Sequence, residues 1–235
     1  MSSEIPLVTR GALTLCCSDM AAPPLFWTEA DGTRHGYEPG AAGAVAEAMG
    51  LEVHWIFRQW ADFARALAES ECDGIWCGSA ITPERERRFL YTRPYAVFDE
   101  SVVVRAGDAV SLPGDLHGRR VGAIAGSTNL ALAETFEGAV CVPFDGVTDD
   151  VFGDMLRALQ TGEVDAVVDD DVAFLGIERS YPDIRVAFTI ATRNRWGCAL
   201  RLGDDQLKRA LDDGIAQADL PAVWRQWLPS LAYPL

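Results

Sequence analysis

Short apolar runs alternate along the chain with longer amphipathic stretches, which predicts strand and helix in turn. Residues 12–17 read as a first strand, and residues 51–57, where apolar and polar positions alternate, as a second. Between them come a 18–24 loop whose Pro23-Pro24 pair excludes helix, a small hairpin turn around Leu25-Phe26-Trp27 and Asp31-Gly32, and an alanine-rich helix over 41–49 stopped by Gly50. Residues 60–67 predict another helix, and 74–77, an apolar run behind Asp73, a buried strand. The pattern restarts after a β-rich run at 101–105: strand over 118–126, strand over 139–143, helix over 149–160, buried strand over 165–169. Strands at 184–188 and 196–201 and helices at 204–218 and 221–228 complete it. Strand and helix in alternation predict an α/β fold with mostly parallel sheets.

Composition narrows the function classes. The 235 residues are 49% hydrophobic and 23% charged, an ordinary globular balance, and can bury a substantial core. A formal net charge of -15 argues against nucleic acid and anionic membranes as partners. No apolar run approaches the roughly 18 residues of a membrane span. Residues 1–10 are polar and lack a leader pattern, so the chain is expected in the cytoplasm if this is its native start, and in the periplasm or outside the cell if a signal peptide was removed. Six cysteines (16, 17, 72, 77, 141 and 198) include no Cys-x-x-Cys spacing; buried free thiols are favoured over disulfides or a zinc site, which leans towards a reducing compartment. No metal site and no cofactor is expected.

Candidate chemistry gathers in one stretch. Gly78-Ser79-Ala80 is small enough for a ligand to approach the backbone. Thr82-Pro83-Glu84 reads as a helix start, with Arg85 in the first turn. Free N–H groups there favour an anion, and a guanidinium fork adds bidentate carboxylate binding. The plainer reading is a surface helix whose Arg85, Arg87 and Arg88 pair with Glu84 and Glu86. A second anion-friendly helix start follows the 118–126 strand at Ser127-Thr128, and Asp169-Asp170-Asp171 close the 165–169 strand. In open α/β sheets ligands bind beyond the carboxyl ends of the strands, where these groups fall.

The stretch DGIWCGSAITPERERRFLYTRPY, residues 73–95, resembles the signature of the family 3 solute-binding proteins, and the likeness runs in register from about Gly11 to Trp227. These are polar-amino-acid receptors of ABC transporters. The resemblance implies a two-lobed periplasmic-binding-protein fold (type II), each lobe a mostly parallel sheet flanked by helices, with a ligand cleft between lobes. Lobe 1 is expected over residues 1–104 plus 195–235 and lobe 2 over 105–194. By position in the motif Arg85 clamps the ligand carboxylate, Ser127 and Thr128 contact the same group, and Asp170 binds the α-amino group. Trp60 falls where an aromatic packs on the ligand side chain, Asp19 where selectivity is set, and Gly78 and Ala80 where backbone meets ligand. Three departures matter: Ala80 stands where relatives carry a hydroxyl, Ala22 replaces an aromatic lid residue, and Gly40 replaces an acid ahead of the 41–49 helix. They weaken the amino site more than the carboxylate clamp.

The resemblance implies a receptor that closes on a small amino-acid-like or carboxylate ligand and passes it to an ABC transporter permease; a monomer is expected. The alternative is an enzyme on the same scaffold, similar to cyclohexadienyl dehydratases acting on prephenate or arogenate. That chemistry needs a general acid of raised pKa, which crowding among Asp169, Asp170 and Asp171 could supply. The plainer account is that alternate residues of that run point away and leave one carboxylate in the cleft. A ligand-sensing domain without a transporter would need an output module, and the sequence shows none.

Overall fold

The computed structural model describes residues 5–235; residues 1–4, part of the polar opening stretch, lie outside the described residues. In chain order the elements are β1 (Ala12–Cys17), a β2 (Trp27–Thr28) and β3 (Arg34–His35) hairpin, α1 (Tyr37–Ala48), β4 (Glu52–Phe57), α2 (Phe63–Ala68), β5 (Gly74–Ile75), β6 (Leu90–Tyr91) and β7 (Ala96–Arg105). There follow β8 (Arg120–Ile124), α3 (Thr128–Ala133), β9 (Val140–Phe144), α4 (Val151–Thr161), β10 (Ala166–Asp170), α5 (Ile177–Ser180), β11 (Ile184–Trp196), β12 (Ala199–Leu200), α6 (Asp205–Gln217) and α7 (Leu220–Trp227). The chain divides into two compact units, one made of the described residues up to Val97 together with Asn194–Leu235, the other of Phe98–Arg193. The chain passes between them within β7 and within β11.

Each unit is built on a five-stranded sheet flanked by helices. In the first the order is β4-β1-β5-β12-β6, parallel across β4, β1 and β5 and antiparallel at β12 and β6. In the second the order is β11-β7-β10-β8-β9, parallel across β10, β8 and β9, with β7 antiparallel to β10. The sheets are therefore mixed; β7 and β12 each come from a stretch that has just crossed between units, without a helix to reverse the direction. Burial explains the sequence patterns. Central β1 is covered on both faces and reads as a largely apolar run, Leu13, Leu15, Cys16 and Cys17 with the buried Thr14 among them, whereas edge strand β4 alternates. The second unit's core is Val102 and Val104 of β7, Val121 and Ala123 of β8 and Ala166 and Val168 of β10, closed by Leu116 and Phe136.

Several boundaries differ from the sequence expectation. The 41–49 helix begins earlier, at Tyr37, because Tyr37 is drawn into the core: its hydroxyl donates to the Tyr95 carbonyl at 2.7 Å and its ring meets Trp224 edge-on at 5.1 Å. Gly40 has a packing reason, since a Cβ there would lie 2.9 Å from Trp227 and from Val223 of α7. The 60–67 helix is a 3-10 turn (Trp60–Asp62) leading into α2, and the 184–188 strand runs on as β11 to Trp196. All six cysteines are free thiols, five of them buried. No described helix is long and apolar enough to cross a membrane.

Asp73, the acid ahead of the 74–77 run, ties the first unit together: its fully buried carboxylate accepts the N–H of Val8 at 2.8 Å and of Thr14 at 2.7 Å. Asp73→Ala leaves both N–H groups unpaired and should cost about 2–4 kcal/mol. Urea denaturation checks this, and an unchanged midpoint would refute the role.

Candidate functional site

In the first unit, the groups around Arg85 assemble from a tight turn. Behind β5 the chain bends at Gly78, whose φ of 57° favours glycine, and a Cβ there would come within 3.3 Å of the Trp196 ring. Ser79 and Ala80 are buried, and the strand end at Arg195–Gly197 pins them: Gly197 N–H donates to Ser79 O at 3.1 Å and Ile81 N–H to Arg195 O at 2.8 Å. The expected helix after Thr82 does not form. Thr82 Oγ1 accepts the Arg85 N–H at 3.2 Å, but only a 3-10 turn (Arg85–Arg87) follows before the chain enters β6, so a helix dipole contributes little to anion binding here.

What the turn does is aim a guanidinium. Arg85 Nη1 donates to the Ala80 carbonyl at 3.2 Å, and the guanidinium carbon lies 5.7 Å from the centre of the Trp60 ring. Arg85 also hydrogen-bonds the Tyr91 hydroxyl, which pairs with Ser79 Oγ at 3.0 Å. Arg85 is half-buried, whereas Arg87 and Arg88 are exposed, which separates it from the plain surface-helix reading. Trp60 leans on Phe63 at 5.4 Å. Ala80, expected to mark a lost hydroxyl, supplies a carbonyl to orient the cation instead.

The loop after β1 is fastened by Arg34. Its guanidinium sits 5.0 Å from the Phe26 and Phe57 ring centres, donates to Ser18 O at 2.5 Å and to Thr28 Oγ1 at 2.9 Å, and lies 3.7 Å from Asp19. Thr28 Oγ1 in turn donates to Asp19 Oδ1 at 2.7 Å, which fixes Asp19 while its side chain stays 51% exposed. Ala22, expected at a lid position, is buried within a turn closed by Phe26.

In the second unit, Ser127 caps α3. Its hydroxyl donates to Ile124 O at 2.6 Å and accepts the Leu130 N–H at 3.0 Å, and its N–H also goes to Ile124 O. α3 spans only six residues, so this helix start, too, offers a weak dipole. Thr128 is its first residue. Asn129 is buried and links two carboxylates, its Nδ2 donating to Glu100 Oε1 at 3.2 Å and to Asp170 Oδ1 at 3.4 Å. Glu100 of β7 and Asp170 of β10 stand directly opposite one another in the antiparallel register, and Asp169 Oδ1 accepts the Asp170 N–H at 2.7 Å. Three carboxyl groups thus crowd one end of β10. Burial pushes Asp169 up to about 7, and burial followed by the charges of Asp169 and Glu100 pushes Asp170 well above its ordinary value. Asp171 turns elsewhere, accepting the Asp99 N–H at 3.3 Å. Sequence reasoning missed Glu100 and Tyr91; the adjacent acids Asp99-Glu100 inside an otherwise apolar strand were the available signal for Glu100.

Residues 15–223 match the family described as bacterial extracellular solute-binding proteins, family 3, and the chain belongs to that family. Among characterised relatives, the L-cystine-binding protein TcyJ of Escherichia coli strain K12 is 25% identical over 215 residues, spanning 87% of this chain and 78% of that protein. An ancestral arginine-binding protein solved with arginine superposes with a TM-score of 0.83 at 24% identity, covering 93% of this chain and 99% of that one. The ancestral amino acid-binding protein AncCDT-1, described as a precursor of cyclohexadienyl dehydratase, superposes with a TM-score of 0.79 at 22% identity, covering 93% and 95%. The two structures establish the shared periplasmic-binding-protein fold.

A carboxyl whose pKa is higher folded than unfolded keeps a proton that the unfolded chain has lost, so stability falls as pH rises through that window. Asp169 and Glu38, both raised to about 7, place the window between about pH 4 and 7. The ligand-free protein should therefore melt several degrees higher at pH 5 than at pH 7.5, and Asp169→Asn should flatten the slope. Calorimetry at the two pH values checks this; a melting point that rises with pH across the window would contradict it.

Proposed function

We propose that the chain binds an α-amino acid, or a small carboxylate carrying a cationic group, and delivers it to an ABC transporter permease. Arg85 takes the carboxylate, with Trp60 beside it against the ligand's apolar part. Asp170, backed by Glu100 and Asn129, takes the ammonium. Ser127 and Thr128 are further carboxylate contacts, Ser127 by exchanging its bond to Ile124 for one to the ligand. Gly78 and Ala80 supply close backbone approach, and Asp19 reads the ligand side chain.

The observation that carries this reading is the half-buried Arg85 guanidinium, aimed by the Ala80 carbonyl, the Tyr91 hydroxyl and the Trp60 face. Relatives named for binding L-cystine and arginine support an amino acid as the ligand class. An acidic end of β10 complements a cation, and ligand binding draws Asp170 into its charged form. The family's description as extracellular solute-binding proteins supports work outside the cytoplasm, and a monomer is the form proposed here.

One observation favours a second reading. A carboxyl that holds its proton to about pH 7, as Asp169 does, suits the general acid of a dehydratase-like enzyme acting on prephenate or arogenate. A thermal-shift screen of the amino acids, prephenate and arogenate, with product analysis, separates the two: a stabilising amino acid left unchanged supports the receptor, and consumption of prephenate or arogenate supports the enzyme.

For the stabilising amino acid, Arg85→Ala should weaken binding at least about thirtyfold, or about 2 kcal/mol, the scale of leaving a charged partner unpaired. Asp170→Asn should weaken it comparably while sparing the affinity for a deaminated analogue. Calorimetric titration checks both, and wild-type affinity in Arg85→Ala would refute the assignment.

A further inference from the structure

The turn that aims Arg85 is held from the core side by a carboxylate that the binding chemistry does not use. Glu38, in the first turn of α1, is 1% exposed. Its Oε2 accepts the Gly78 N–H at 2.9 Å and the Tyr95 hydroxyl at 3.1 Å, while Oε1 is buried without a hydrogen-bond partner among the described residues. A buried carboxyl with one satisfied and one orphaned oxygen is poised between two protonation states. Gly78 joins it to the clamp through three consecutive residues: Gly78 is bonded to Glu38, Ser79 to Tyr91, and the Ala80 carbonyl to Arg85.

We propose that Glu38 is the positioning residue of the carboxylate clamp: as a carboxylate it fixes the Gly78–Ala80 turn that orients Arg85, and on taking a proton it loosens that turn. The inference rests on the reading of Arg85 as the clamp. Two donors converge on one oxygen of the ionised form, and both weaken when that oxygen becomes part of a neutral acid, since charge-assisted bonds are roughly twice as strong as neutral ones. Working against ionisation is burial, which pushes Glu38 up to about 7 despite the Gly78 and Tyr95 bonds and the charge of Arg34. The ionisable groups around it are Arg34 from β3, Tyr37 beside it on α1, Tyr95 ahead of β7, Cys17 from β1, and Cys77 and Cys198 from the β5 and β12 side. Arg34 carries the positive charge in this set, and the thiols and phenols are pushed up by burial, so between pH 5 and 9 the titration belongs to Glu38.

The test needs no ligand, so its outcome is independent of which solute binds. In the ligand-free protein, the Glu38 side-chain carbon, the Gly78 amide and the Arg85 Nε–H group, followed by NMR from pH 5 to 9, should titrate together with one midpoint near 7. Glu38→Gln should abolish the inflection at Gly78 and Arg85, and Asp169→Asn, which removes another carboxyl of similar midpoint, should leave it intact. Tyr95→Phe removes a donor to the carboxylate and should move the shared midpoint upwards, which keeps the proposal testable if Glu38→Gln does not fold. A Gly78 amide that is flat across the range, an inflection that survives Glu38→Gln, or an Arg85 signal that ignores the Gly78 midpoint would each overturn it.

Discussion

The first unit is organised around keeping one cation aimed. A guanidinium on a flexible stem would spread over many rotamers, and ordering it at the moment of binding would cost affinity. Here the Ala80 carbonyl, the Tyr91 hydroxyl and the Trp60 ring restrain Arg85 beforehand. Each restraint depends on another part of the unit: Ala80 on its bridge to Trp196, Tyr91 on the β6–β12 pairing, and Trp60 on Phe63 of α2. The small residues at 78–80 let the turn lie against the Trp196 ring.

The second unit faces the opposite problem. Glu100, Asp169 and Asp170 crowd one strand end, and like charges directly across a ladder are destabilising. Proton uptake and the Asn129 amide relieve the strain in the ligand-free protein. An arriving ammonium would relieve it further by pairing with charges already desolvated. The same crowding would serve a general acid.

Much of this was legible in the chain. Largely apolar runs marked β1 and β10 because both are covered on two faces; Asp73 and Asp170 stood out as acids at the ends of apolar strands, and Arg85 as a cation at an expected helix start. What was not legible depended on distant partners. Thr82-Pro83-Glu84 carries every local signal of a helix start, and Thr82 does bond the Arg85 N–H, but the chain turns into β6 to pair with β12. Glu100 was masked by the Val102–Val104 run that follows it, and Glu38 lay ahead of the predicted 41–49 helix with nothing nearby in sequence to mark it, its partner being the Gly78 N–H forty residues on. Gly40 read as a lost acid, when the volume it leaves is filled by Trp227.

The central claim is that one ligand satisfies both the Arg85 cation and the Asp170 carboxylate. Its most direct test is isothermal calorimetry at pH 7.5 with the L-amino acid that stabilises the protein most, beside its decarboxylated and deaminated analogues. The account predicts tight binding of the amino acid and a loss of at least about thirtyfold for each analogue, about 2 kcal/mol per missing charge. Equal affinity for the amino acid and its decarboxylated analogue would contradict it, because Arg85 would then hold nothing.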